Sequence, residues 1–142
     1  MTKKVLLALY ALLLAFAAPA RADTGMYLFK SFTGNVNFAG TQVTVRDRSK
    51  NASPCRIYGE GVTHSASLNM PDGATVVSAH LYWAGSGSAD TGVTMNGKPV
   101  SATSDRVYTS ATIGGGFNYF SAAAEVTDLV KLKGSGSYTF SG

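Results

Sequence analysis

Residues 76–100 read VVSAHLYWAGSGSADTGVTMNGKPV, and residues 124–140 read AEVTDLVKLKGSGSYTF. The first stretch holds the strongest local signal in the chain. Val93–Met95 and Lys98–Val100 flank Asn96-Gly97, and a type I′ hairpin turn needs positive φ at both central residues, which Asn-Gly supplies. Pro99 lacks an N–H and therefore places the return strand at a sheet edge. Upstream, Val77, Ala79, Leu81 and Trp83 alternate with Val76, Ser78, His80 and Tyr82. This predicts a strand with the first row turned inward and the second outward. Gly85 to Gly92 reads as a loop of small polar residues.

The second stretch predicts a helical turn near 127–133. Thr127 is suited to cap the amides two and three residues ahead. Asp128 fits the positive end of the turn, and Lys131 and Lys133 fit its negative end. Val126, Leu129, Val130 and Leu132 supply apolar contacts, and Gly134 offers a left-handed stop. A last strand, Ser137 to Ser141, puts Tyr138 and Phe140 on one face.

Working outward, Val62, His64, Ala66 and Leu68 alternate with Thr63, Ser65 and Ser67, and Met70-Pro71-Asp72-Gly73 is a turn signal. Val107, Thr109, Ala111 and Ile113 predict a further strand, broken by Gly114-Gly115-Gly116 and resumed at Phe117 to Phe120. Met26 to Phe32 and Gln42 to Arg46 predict two more. The total is seven to nine short strands with one helical turn. This is an all-β chain, an antiparallel β-sandwich of jelly-roll type.

The N-terminus has the three parts of a secretory signal peptide: Lys3 and Lys4, the apolar run Val5 to Ala18, and the small-x-small site Ala20-Arg21-Ala22. The run is shorter than the roughly 20 apolar residues that span a bilayer. The expected mature chain is therefore residues 23–142, without a membrane span. Its short, alanine-rich apolar run has a bacterial character. Cleavage after Ala22 removes Lys3, Lys4 and Arg21, leaving nine Lys and Arg against eight Asp and Glu, a net charge of +1 rather than +4. The basic balance belongs to the leader, and with it goes the argument for a nucleic-acid partner. The cluster Arg46, Arg48, Lys50 and Arg56, broken by Asp47, reads as a solvated loop. Cys55 is the one cysteine. In an exported chain it reads as a small buried residue or as a disulfide candidate with its partner outside this chain. Because Tyr138 to Ser141 reads as a core strand, the sandwich is expected to continue beyond Gly142.

The order VTMNGKPV then EVTDLVKLKGSGSYTF resembles the galactose-binding-like jelly rolls attached to many glycoside hydrolases. More closely, AHLYWAGSGS with GGGFNYFSAAAEVTDLV resembles an exported domain at the N-terminus of large bacterial surface proteins, often ahead of repeat arrays. The resemblance covers roughly residues 60–142. It implies a sandwich fold and a surface location, and its motifs are a hairpin and a helical turn rather than a ligand site.

Catalytic patterns are thin. Asp23-Thr24-Gly25 and Asp90-Thr91-Gly92 spell the aspartic-protease triplet, but neither follows the apolar strand that chemistry needs. His64 falls on an apolar row, as a core histidine does; His80 shares a face with Tyr82. Glu60 and Asp72 join no H-x-H or H-E-x-x-H spacing, so no metal site is predicted. There is no G-x-S-x-G elbow, and the glycine-rich Gly85-Ser86-Gly87 and Gly114-Gly115-Gly116 open no long helix that could cradle phosphate. No cofactor is expected; Asn69, Asp72, Asp90 and Asp105 offer loop oxygens of the kind that bind Ca²⁺.

Binding is therefore expected to rest on aromatics. Tyr82, Phe117, Asn118 and Tyr119 are the candidate residues, with Tyr108 and Phe120 beside them, because exposed aromatics on a sandwich stack on sugars or fill partner pockets. Trp83 reads as core. The expected function is a non-enzymatic, exported, adhesin-like module whose partner is a protein or glycan at the cell surface. The alternatives are a carbohydrate-binding module and a piece of a secreted hydrolase.

Overall fold

The computed structural model of the chain describes residues 28–45, 62–110 and 118–142. The expected leader with its expected cleavage site, the basic cluster at 46–56, Cys55, Glu60, Ala111, Ile113, the triple glycine and Phe117 lie outside the described residues.

Among the described residues the chain forms seven strands, a 3-10 turn and one helix. The strands are β1 (His64–Leu68), β2 (His80–Ser86), β3 (Gly92–Met95), β4 (Lys98–Ser101), β5 (Val107–Thr109), β6 (Tyr119–Glu125) and β7 (Gly136–Ser141); the helix α1 is Thr127–Lys133. They make two antiparallel sheets, ordered β1-β7-β3-β4 and β2-β6-β5. This is the all-β, two-sheet architecture that the alternation predicts.

The Asn96-Gly97 turn forms as expected, with φ of 52° and 72°. It closes β3 onto β4 with Met95 opposite Lys98, and β4, which contains Pro99, lies at a sheet edge. The turn also ties a third strand. Asn96 N–H donates to the Thr139 carbonyl at 2.8 Å, and its Oδ1 accepts the Thr139 N–H at 2.9 Å. β7 thus sits between β1 and β3. On its β1 side, Phe140, Tyr138 and Gly136 stand opposite His64, Ala66 and Leu68, so the predicted inward rows of the two strands coincide.

Met95, Val100, Val126, Val130 and Tyr138 form one buried cluster, and Leu68, Val76, Ala79, Leu81, Ala124 and Phe140 pack against it. Both sheets and the helix contribute to it, which is how each covers its apolar face. Tyr138 is the most enclosed large side chain, 1% exposed. Its hydroxyl donates to the Gly134 carbonyl at 2.6 Å, so burying it leaves no orphaned polar group.

Several local expectations are corrected. Leu28–Phe32 and Gln42–Val45 carry no strand, and their apolar residues are exposed, from Val43 at 38% to Leu28 at 81%. Alternation is a fit to a pleated surface and makes no strand without a neighbouring edge. The row Val77, Ala79, Leu81, Trp83 holds only from Ala79 on. Val77 is 60% exposed while Val76 packs on the core, because the chain bends before β2 begins at His80. Leu132 points to solvent at 87% exposure rather than into the core. β2 runs through Gly85 and Ser86, which the sequence assigns to a loop. Gly85 is there because a Cβ would stand 2.8 Å from the Phe120 ring.

Thr127 has a different role from a helix cap. Val126 occupies the N-cap position, and no side chain caps the helix. Thr127 is buried, and its Oγ1 accepts the Ala79 N–H at 2.9 Å and donates to Glu125 Oε1 at 2.8 Å. With Val126 N–H donating to the Ala79 carbonyl at 2.8 Å, this pins the start of α1 to the chain just before β2. Asp128 at the first turn, Lys131 and Lys133 at the last, and Gly134 with φ of 71° follow the predicted pattern.

Candidate functional site: a tyrosine face on the three-stranded sheet

In a strand, alternate residues share a face. Along β2, Leu81, Trp83 and Gly85 turn inward and Tyr82, Ala84 and Ser86 turn out. Along β6, Phe120 and Ala122 are buried and Tyr119 and Ser121 are exposed. The pairing sets Tyr82 opposite Ala123, Ala84 opposite Ser121, and Ser86 opposite Tyr119. On the other side of β6, Tyr108 stands opposite Ser121. Three tyrosines therefore project from one face of the β2-β6-β5 sheet, at 67%, 39% and 46% exposure for Tyr82, Tyr108 and Tyr119.

Their spacing follows from the register. Tyr108 and Tyr119 are diagonal neighbours, roughly 7–8 Å apart at the backbone, within reach of each other's rings. Tyr82 lies two strands from Tyr108 and two residues along, roughly 12 Å, and roughly 14 Å from Tyr119, from strand spacing and rise. Only Ala84, Ser86, Ser121 and Ala123 stand between them, so the rings rise from a low, uncharged floor.

One end of this face is polar. His80 is opposite Glu125, and its ring is 6.4 Å from that of Tyr82, tilted by 47°. His80 Nε2 and Ser78 Oγ are 2.8 Å apart. A hydrolytic serine needs more than a histidine: a carboxylate that orients the base, and donors for the oxyanion. Glu125 Oε1 accepts the Thr127 hydroxyl, which gives that oxygen a place in the α1 joint. Beside it, Val77, Glu125, Asp128 and Lys131 line an open depression of about 320 Å³ with charges of both signs.

The remaining sequence candidates are distributed elsewhere. Asn118 is exposed, and its carbonyl accepts the Gly87 N–H at 2.8 Å, tying the end of β2 to the start of β6. Phe120, in the strand that the sequence resumes at Phe117 to Phe120, is buried under the sheet. Asp90 Oδ1 accepts the Gly92 N–H at 3.1 Å in a local turn, and the Asp90 carbonyl accepts the Trp83 indole N–H at 2.8 Å. Neither arrangement pairs Asp90 with a second carboxylate. Asp105 accepts the Thr103 hydroxyl and stands 3.5 Å from Arg106 Nε. The Thr103 hydrogen bond leads in holding its carboxyl below the usual range, with Arg106 adding to it. Among the described residues no group of three or more His, Cys, Asp or Glu stands together as a metal site would require, and no helix is long and apolar enough to cross a membrane.

Tyr108 joins Tyr82 and Tyr119 only through the strand order, which sequence spacing does not reveal. No family model matches this chain, and no curated protein or solved structure matches it.

Proposed function

We propose that the protein is an exported bacterial module that holds a partner at the cell surface, without catalysis, through the tyrosine face of the β2-β6-β5 sheet. The observation that carries this reading is the exposure of Tyr82, Tyr108 and Tyr119 on one side of one sheet. Tyrosine has a large apolar ring and a hydroxyl that tolerates water, which suits it to a surface that is bare when free and covered when bound. The export part rests on Lys3, Lys4, the apolar run and Ala20-Arg21-Ala22.

The test has two arms. In a bacterial host the full chain is expected outside the cytoplasm with Asp23 as its first residue; an uncleaved cytoplasmic product refutes export. Purified residues 23–142 are expected to sediment with bacterial envelope preparations, and Tyr82→Ala with Tyr119→Ala to abolish this. Equal sedimentation of the double variant refutes the assigned surface.

A further inference from the structure

We propose that Asn96 is a modification site. Its carboxamide converts without an enzyme to a carboxylate, through a succinimide, when β7 moves off the Asn96-Gly97 turn, and the folded sheet holds that reaction back.

The chemistry is local to the dipeptide. The Gly97 backbone nitrogen gives up its proton to a base and attacks the side-chain carbonyl carbon of Asn96. A C–N bond forms, the bond to the amide nitrogen breaks, and that nitrogen leaves as ammonia after taking a proton from water. Water then opens the ring at either of its carbonyls, giving aspartate or isoaspartate. Nothing is oxidised or reduced. A side chain on the following residue obstructs the attack, and glycine has none. Asn96 alone among the asparagines precedes a glycine; Asn35, Asn37, Asn51, Asn69 and Asn118 precede Val, Phe, Ala, Met and Tyr. Gly97 is exposed, and apart from its chain neighbours no atom stands within 4 Å of the place a Cβ would take. The nucleophile is open to base and water.

The carboxamide is not open in the same way. The Asn96 N–H donates to the Thr139 carbonyl at 2.8 Å, Oδ1 accepts the Thr139 N–H at 2.9 Å, and the Thr139 hydroxyl stands 3.4 Å from the same oxygen. One residue takes both the main-chain N–H and the side-chain oxygen, so the carboxamide is drawn back toward the N-terminal side of residue 96. The attacking nitrogen lies on the C-terminal side. Ring closure therefore requires the Oδ1 bond to break and the side chain to swing round. Both main-chain groups of Thr139 belong to β7, so the restraint goes when β7 leaves. On its β3 side β7 is held by the pairs Thr94–Ser141 and Met95–Phe140 and by the Asn96 bonds, a shorter joint than the pairing His64–Leu68 gives it on the β1 side.

The two products differ in effect. Aspartate keeps an oxygen for the Thr139 N–H. Isoaspartate routes the main chain through the former side chain, which lengthens the turn between Met95 and Lys98 by a carbon and shifts the acceptor away from Thr139. Its formation loosens β7 from β3, so the modified molecule records that the two strands have parted.

The test follows Asn96 by peptide mass mapping of the purified protein at mildly alkaline pH, folded and in unfolding urea, with ammonia release as a second readout. In urea Asn96 is expected to convert ahead of every other asparagine, and faster as pH rises. In the folded protein it is expected to convert at least about tenfold more slowly, as a site that reacts only from a locally opened state does. Tyr138→Phe leaves the turn unaltered but removes the hydroxyl bond from β7 to Gly134. It is expected to raise the folded-state rate about fivefold, the factor that one lost hydrogen bond makes in an opening equilibrium.

Equal rates in the folded and unfolded protein overturn the inference, as does earlier conversion of another asparagine in urea. A Tyr138→Phe protein that is less stable yet converts at the wild-type rate overturns it as well, because release of β7 is then not the gate. Should that variant not fold, wild type in urea below its unfolding transition replaces it: the Asn96 rate is expected to climb with urea there, and a flat rate overturns the inference.

Discussion

Removing one oxygen from Tyr138 tests how the helix and the central strand are joined. Tyr138 is 1% exposed, and its hydroxyl donates to the Gly134 carbonyl at 2.6 Å. Gly134 ends α1, and its own N–H donates to the Val130 carbonyl. In Tyr138→Phe the ring still fills its place among Met95, Val100, Val126 and Val130, so the packing contribution is nearly unchanged. What goes is one hydrogen bond, about 1 kcal/mol, rising toward 2 if the Gly134 carbonyl finds no water. For a domain of this size that lowers Tm by about 4 °C or more. The pH dependence gives an independent reading. Burial pushes the Tyr138 phenol above its ordinary value of 10.0. The folded chain therefore holds this proton at pH values where the unfolded chain has released it. The stability linked to this group is complete below pH 10 and falls as pH rises beyond it. Phenylalanine has no such proton. The stability gap between wild type and Tyr138→Phe, measured by urea unfolding at pH 8 and at pH 10.5, is expected to narrow at the higher pH. A variant as stable as wild type at pH 8 refutes the hydrogen-bond assignment. A gap that widens with pH refutes the assigned direction of the shift.

Three further substitutions examine other joints. Asn96→Gly keeps the positive φ and loses the side-chain bond to Thr139, and is expected to cost about 1 kcal/mol in urea unfolding. Asn96→Ala adds left-handed strain and is expected to cost about 1–2 kcal/mol more; the reverse order contradicts the turn assignment. Thr127→Val leaves the Ala79 N–H without its acceptor and is expected to cost about 1–3 kcal/mol, whereas Thr127→Ser recovers most of it. Equal melting of the two variants means that the hydroxyl is not the joint. Gly85→Ala drives a methyl into the Phe120 ring, 2.8 Å from the ideal Cβ position, and is expected to lower stability by about 1–3 kcal/mol. An unchanged Tm means that the ring has room to move.

These residues also mark where sequence reading reaches and where it stops. Asn96-Gly97 is legible because the requirement for two positive φ angles is met by two adjacent residues. The rows of β1, β2 and β7 are legible because strand alternation is local. The bend at Val76-Val77 is not, since it reverses the row without any glycine or proline at that point. Thr127 has the right type and place for a cap, yet it serves the Ala79 amide 48 residues upstream. The packing of α1 against the start of β2 decides its partner. The tyrosine face is half visible in the sequence: Tyr82, Tyr108 and Tyr119 stand out as aromatics, but only the order β2-β6-β5 brings them to one side of one sheet. Strand order depends on which edges meet, and a single sequence does not record that.

The central claim is that the outer face of the three-stranded sheet is the binding surface. Its most direct measurement is retention of residues 23–142 on bacterial envelope material, compared with a Tyr82→Ala, Tyr108→Ala, Tyr119→Ala triple variant and with Leu132→Ala as an exposed apolar control on α1. The account predicts that the triple variant melts cooperatively and is not retained, while Leu132→Ala is retained like wild type. Retention of the folded triple variant, or loss of retention in Leu132→Ala alone, contradicts it.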